Sequence, residues 1–184
     1  MAEMVTFASN GGRSQGYLSL PESGQGPGVI VVQEWWGLES GIKEMADRLA
    51  AAGFVALAPD LYHGELAGHT EMDKAASLMT AMPPDRAARD MSGAVDYLAD
   101  HPATTGERIG VLGFCMGGML SFVLAALRPD KIKAAGVTRV TGSVAGDPSR
   151  YGDEWFAPTV TKLTNGQYSM SAGGALISAF GARQ

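Results

Sequence analysis

"RIGVLGFCMGGMLSFVLAAL", Arg108–Leu127, contains the one cysteine of the 184-residue chain, and its two halves have different characters. The first half, through Phe114, is a short apolar run of the kind that fills a strand buried on both faces. The second, from Met116 to Leu127, is long and apolar enough for a packed helix, and Pro129 closes it. Between them Cys115 sits in the pattern G-x-C-x-G-G. The junction therefore predicts a sharp strand-to-helix turn that presents the cysteine. Gly113, Gly117 and Gly118 leave room for strand and helix to crowd together there. A thiol at a helix N-terminus meets the positive end of the dipole, which favours thiolate. The N–H of Met116 is then aimed where an oxyanion develops during acyl transfer. The competing reading is a small buried core residue, a common place for an unpaired cysteine.

The flanking chain alternates strands with helices. "VIVVQE", Val29–Glu34, is β-branched and apolar on both faces, as a central parallel strand should be. "ESGIKEMADRLAAAG" repeats apolar residues at Ile42, Met45, Ala46, Leu49 and Ala50, a helical stripe that stops at Gly53. "FVALAPD" is a second buried strand. "EMDKAASLMTAM" is a helical piece, and "DRAARDMSGAVDYLAD" is a helix with Ala87, Met91, Val95 and Leu98 on one face. Upstream, "VTFASNGGRSQGYLSLP" reads as an antiparallel hairpin turning near Asn10–Arg13, followed by a loop, "ESGQGPG". "KIKAAGV", Lys131–Val137, is a further candidate strand. This rhythm predicts an α/β fold with a mostly parallel sheet covered by helices on both faces.

Composition narrows the function classes. Hydrophobic residues make up 46% and charged residues 18%, the profile of an ordinary globular domain. Net charge is −5 without runs of Lys or Arg, which disfavours nucleic acid or an anionic membrane as a partner. The start lacks a basic stretch followed by an apolar one, so no secretory leader is expected, and no apolar run is long enough for a membrane span. A single cysteine excludes an internal disulfide and fits a reducing, cytoplasmic setting. His63, His69 and His101 lack metal-ligand spacing, so no metal site is expected and no cofactor is implied.

A second chemical feature is "VVQEWWGL". Glu34 ends an otherwise apolar strand at the same carboxyl edge of the sheet as Cys115, where open α/β sheets place their sites. A carboxylate there can hold or accept the thiol proton. The alternative is a solvated carboxylate capping the next helix. Trp35 offers a backbone N–H for an oxyanion hole, and Trp36, Tyr62 and His63 are candidates to line a pocket.

"VVQEWWGL", "FVALAPDLYHGE" and "RIGVLGFCMGG", in this order and spacing, resemble the dienelactone hydrolase family of the α/β-hydrolase fold. The likeness runs over roughly residues 16–137. It implies hydrolysis of small-molecule carboxylic esters or lactones through an acyl-enzyme, with Cys115 as nucleophile and Glu34 as its resting partner. It also implies Met116 and Trp35 as oxyanion-hole donors. The sequence departs from the family after Val137. An acid in a G-x-x-D loop and a histidine in G-x-x-H-x-F are expected there, yet Thr164 and Asn165 fall in that region and no histidine follows His101. Asp147 and Asp153 come too soon after Cys115 and in turn-like surroundings. His63, at the correct sheet edge, is the histidine left to act as base; His101 belongs at the opposite edge. Where the family holds a substrate carboxylate with arginine, the helical piece offers Lys74, which lacks the bidentate fork.

The expected organisation is a hydrolase core over 1–137 with an incomplete C-terminal side. Residues 138–184 read as a divergent, Gly/Ser/Thr-rich tail, as a frameshifted or truncated gene would produce, and not as a separate domain. The rival readings are a catalytically inactive binding module and a thiol-reactive redox protein. The oligomeric state is left open by the sequence.

Overall fold

The apolar runs form the middle of a sheet. The computed structural model describes residues 1–9 and 11–132 and, as backbone, 160–162 and 168–170. β1 (Ala2–Ser9) and β2 (Gly12–Ser19) make the N-terminal hairpin, paired antiparallel along their whole length. β3 (Gly26–Val32), β4 (Val55–Pro59) and β5 (Thr104–Gly113) are parallel to one another. The order is β1-β2-β4-β3-β5, with β2 antiparallel to β4, so the sheet is mixed and its parallel part is three strands wide. The chain moves from β3 to β4 on one side and then crosses to β5 on the other. β3 is thus a switch point, and the carboxyl ends of β3 and β5 flank the crevice where such sheets bind ligands.

Period-two alternation divides the core into two layers. Val29, Val31, Ala56 and Ala58 face α1 (Ser40–Ala51), which buries Ile42 and Ala46 against them. Ile30, Val32, Val55 and Leu57 face the other way, onto α3 (Pro84–Ala99) and α4 (Met116–Leu127). α2 (Met72–Ala81) adds Leu78 and Met79 to the edge of that second layer. α1 and α3 therefore bury the stripes read from their sequences. Lys74 stands exposed on α2. No described helix is long and apolar enough to cross a membrane.

Two boundaries differ from the sequence reading. Gly26–Gly28, read as loop, belong to β3, because a Gly-Pro-Gly run is tolerated where the ladder to β5 slips at Pro27/Val29. A Cβ on Gly28 would come 2.6 Å from Ile109 Cδ1, so the glycine serves a close approach. β5 also starts earlier than expected, at Thr104. Of the candidate strand Lys131–Val137, Ile132 bridges to Ile109 in parallel; the remainder lies outside the described residues.

The chain divides into two units, Met1–Gly136 and Val137–Gln184. In the second, β6 (Val160–Lys162) pairs antiparallel with β7 (Tyr168–Met170). Asp147 and Asp153 fall outside the described residues, as does all of the span 138–184, read as a frameshifted tail, apart from these two strands.

Candidate active site

Cys115 immediately precedes α4, two residues after the end of β5, at φ 52° and ψ −122°. A non-glycine side chain in this region is strained, and such strain persists only where the surroundings enforce it. Two glycines enforce it here. A Cβ on Gly113 would overlap the Gly117 carbonyl and approach Ser121 Oγ to 2.7 Å. A Cβ on Gly117 would overlap the Val32 carbonyl oxygen and lie 2.6 Å from that of Gln33. The first turn of α4 is thus pressed onto the end of β3, and the backbone at Cys115 takes up the bend. Its side chain is exposed. Met116, the first residue of α4, has no carbonyl four residues back within the helix to receive its N–H, which leaves that donor unspent.

Register explains the nearness of the second motif. Val32 of β3 pairs with Gly113 of β5, and Glu34 and Cys115 each lie two residues beyond this pair. The two stand at neighbouring strand ends. Glu34 is half-buried and forms a bridge with Gly37; its carboxylate makes no hydrogen bond or ion pair among the described residues, with Cys115 or any other group. Capping of α1 falls to Glu39, whose carboxylate accepts from the N–H groups of Gly41 (2.8 Å) and Ile42 (3.2 Å). Trp35 packs edge-on against Trp36 at 4.9 Å, and Trp36 lies 5.0 Å from the His69 ring.

Tyr62 and His63 sit side by side after β4 and turn apart. Tyr62 is buried, and its hydroxyl donates to Met116 Sδ at 3.6 Å. Burial pushes its phenol pKa up to about 12. His63 has φ 54°, and it and Cys115 are the two non-glycine residues with positive φ among the described residues. Its Nε2 lies 2.7 Å from Asp90 Oδ2, while Ser9 Oγ donates to Asp90 Oδ1 at 2.5 Å. Asp90 is buried on α3. Leu61 N–H is held by Gln33 Oε1 at 3.0 Å, Tyr62 N–H by Asp60 Oδ1 at 3.1 Å, and Gly64 N–H by Asp60 Oδ2 at 2.6 Å. These bonds fix the loop that carries both side chains.

None of the three histidines bonds to Cys115. His63 is engaged by Asp90, His69 lies tilted against Trp36, and His101 accepts from the Ala103 N–H and lies tilted against Tyr97. The structure therefore gathers Cys115, Met116, Tyr62 and the Glu34–Trp36 segment at one sheet edge, and turns His63 toward α3. Asp90, Ser9 and Gln33 were missed from the sequence. The available signal was Asp90 itself, a carboxylate set into the buried stripe of an amphipathic helix.

Comparison with known proteins adds four findings. A family model described as "Dienelactone hydrolase family" matches residues 14–138. The protein usf of Aquifex pyrophilus is 45% identical over 73% of this chain and 60% of its own length. A carboxymethylenebutenolidase of a Pseudomonas species (strain P51) is 36% identical over 65% of this chain and 52% of its own. Among solved structures, the dienelactone hydrolase-like promiscuous phosphotriesterase P91 from metagenomic libraries matches with a TM-score of 0.58 and 29% identity, over 69% of this chain and 54% of that one. The chain spans between half and three fifths of the length of these relatives.

Proposed function

Because the chain belongs to the dienelactone hydrolase family, we propose that it carries the acylating half of a carboxylic-ester or lactone hydrolase, with Cys115 as the nucleophile. The observation that carries this reading is the backbone of Cys115. An exposed thiol held at φ 52° and ψ −122° between two glycines that cannot accept a side chain is a costly arrangement for a residue that only fills space. In the proposed reaction Sγ attacks the carbonyl carbon and forms a C–S bond. The oxyanion is received by the N–H groups of Met116 and Trp35. The carbonyl C–O bond to the alkoxy group then breaks, and the alcohol leaves with a proton. Water attacks the thioester, releases the acid and restores the thiol. Glu34, unpaired among the described residues and two residues beyond the strand pair that leads to Cys115, is the proposed proton partner of the thiol. Trp36 and Tyr62 are the proposed walls beside it. A proton acceptor for the water step is not among the groups bonded to Cys115 in the described residues.

The test uses the full chain with p-nitrophenyl acetate, alongside Cys115→Ser and Cys115→Ala. Nitrophenolate release and an acetyl group on Cys115, mapped by peptide mass, are expected in the wild type and lost in Cys115→Ala. A burst equal to the protein concentration, with turnover many-fold slower, identifies acylation without an efficient deacylating base. Equal release by wild type and Cys115→Ala overturns the assignment.

A further inference from the structure

The two edges of the five-stranded sheet are finished differently. At β5 the ladder to β3 slips at Pro27/Val29, and Ile132 bridges to Ile109, so that edge is irregular and partly occupied. β1 has neither device. It keeps continuous register with β2 from Ala2 to Ser9 and contains no proline and no lysine. Exposed edges are normally blunted by one of these, because a row of open N–H and C=O groups templates another strand. We propose that β1 is a dimer interface, pairing antiparallel with β1 of a second copy of this chain about a two-fold axis at Met4.

The register shows which backbone groups are open. Leu20 N–H donates to the Met1 carbonyl at 2.8 Å, and the Met1 ammonium donates to the Leu20 carbonyl at 3.3 Å. Pairs that exchange both bonds alternate along an antiparallel ladder with pairs that exchange none. Glu3, Val5 and Phe7 therefore spend their backbone groups on β2, whereas Ala2, Met4, Thr6 and Ala8 turn theirs outward. β2 agrees: Gln15, opposite Thr6, gives its carbonyl to the Asp60 N–H of the segment after β4. α3 closes the Ala8 end, where a Cβ on Gly93 would overlap the Ala8 carbonyl oxygen. The open groups are those of Ala2, Met4 and Thr6, and among the described residues nothing bonds to them.

These three positions are symmetric about Met4, which selects a second copy as the occupant. Under a two-fold rotation Met4 faces Met4 and Ala2 faces Thr6, so every open donor meets an open acceptor. The side chains allow it. Ala2, Met4 and Thr6 are exposed and uncharged, and they share the sheet face that Tyr17 presents to α1. Met4, 48% exposed, would be covered by its twin. On the other face Glu3 comes opposite Val5, which leaves the two Glu3 carboxylates on a diagonal and not directly opposed. Strands this short bury less than the roughly 800 Å² per partner of a standard interface, so the dimer is weak, with a Kd on the order of 10–100 μM.

The test is sedimentation velocity of the full chain over about two decades of concentration around that value. A monomer–dimer equilibrium is expected. Met4→Pro removes an N–H that β2 does not use, the place where an edge strand tolerates proline. Met4→Lys sets two ammonium groups face to face at the axis. Each is expected to weaken dimerisation at least tenfold while leaving the circular dichroism spectrum unchanged; should the proline variant misfold, the lysine variant decides. Thr105→Lys, an exposed change on β5, is expected to leave the dimer intact. Hydrogen exchange at the Met4 amide should slow as wild-type concentration rises. A chain that stays monomeric throughout overturns the proposal, and a concentration-independent, protected Met4 amide would then mean that another part of the same chain covers the edge. A dimer that survives in folded Met4→Lys, or that is lost in Thr105→Lys, overturns it as well.

Discussion

Cys115 and His63 share a backbone anomaly and differ in how it is maintained. Both follow a parallel strand at its carboxyl end, and both hold positive φ without being glycine. At Cys115 the conformation is imposed by packing: Gly113 and Gly117 bring α4 onto the end of β3, and the side chain bonds to none of the described residues. At His63 it is imposed by polar bonds: Asp90 holds the ring, while Asp60 and Gln33 hold the backbone on either side. Steric enforcement leaves a side chain free to react. Hydrogen-bonded enforcement spends part of the side chain to aim the rest. The two corners should therefore fail in different ways when perturbed.

The largest effect is expected at the sterically enforced corner. Gly117→Ala drives a methyl into the Val32 carbonyl and against that of Gln33, with backbone on both sides and no flexible group to give way. Urea unfolding is expected to show a loss of about 3 kcal/mol. A loss under 1 kcal/mol would mean that α4 can retreat from β3 and that the elbow is softer than its contacts imply. At the polar corner, Asp90→Ala removes the acceptor of both Ser9 and His63 and should cost about 2 kcal/mol, since one of the stranded donors is buried. Asp90→Asn, which keeps one acceptor oxygen, should recover part of that. Equal midpoints for Asp90→Ala and wild type would show that the polar corner does not need its carboxylate.

The same contrast separates what the sequence made legible from what it concealed. The elbow was readable because its determinants are local: a strand period, glycines at fixed offsets and a helix period fall within one stretch of chain. α1, α3 and α4 were readable for the same reason. The His63 corner was not, because its determinants come from four separate places. Ser9 reaches Asp90 only because α3 docks closely on β1, where a Cβ on Gly93 would overlap the Ala8 carbonyl. Nothing in the spacing of residues 9, 63 and 90 announces that meeting. Capping misled in the same way: Glu34 looked eligible to cap α1, yet Glu39, one residue before the helix, does so. The bulge that admits Gly26–Gly28 into β3 depends on β5 and has no local signal either.

A finer test reads the strain at Cys115 directly. Glycine accepts φ 52° and ψ −122° without penalty, whereas alanine keeps the Cβ and the strain. Cys115→Gly is expected to be more stable than Cys115→Ala by about 1 kcal/mol, after allowing for the greater chain entropy glycine has when unfolded. The order should reverse at a relaxed helix position. Alanine equal to or more stable than glycine would remove the strain from the account of the elbow.

The smallest effect concerns Tyr62, which joins the two corners: it neighbours His63 in the chain and its hydroxyl touches Met116, next to Cys115. Burial raises its pKa from 10.0 to about 12, so the fold favours the neutral phenol. Below pH 10 both folded and unfolded chains keep the proton and that part of stability is intact. Between about pH 10 and 12 the unfolded chain releases it while the folded chain does not, so stability falls as pH rises through this window. Tyr62→Phe cannot titrate and should lose stability less steeply there. At neutral pH it forfeits only a weak contact with sulfur, a cost of about 0.5 kcal/mol. Tyr17 and Tyr97 are also raised, chiefly by burial, so some slope remains in the variant. Parallel unfolding midpoints for wild type and Tyr62→Phe from pH 10 to 12 would mean that the phenol reaches water in the folded chain. Tyr62 would then be a mobile wall beside Met116, and the two corners would no longer be braced against each other through it.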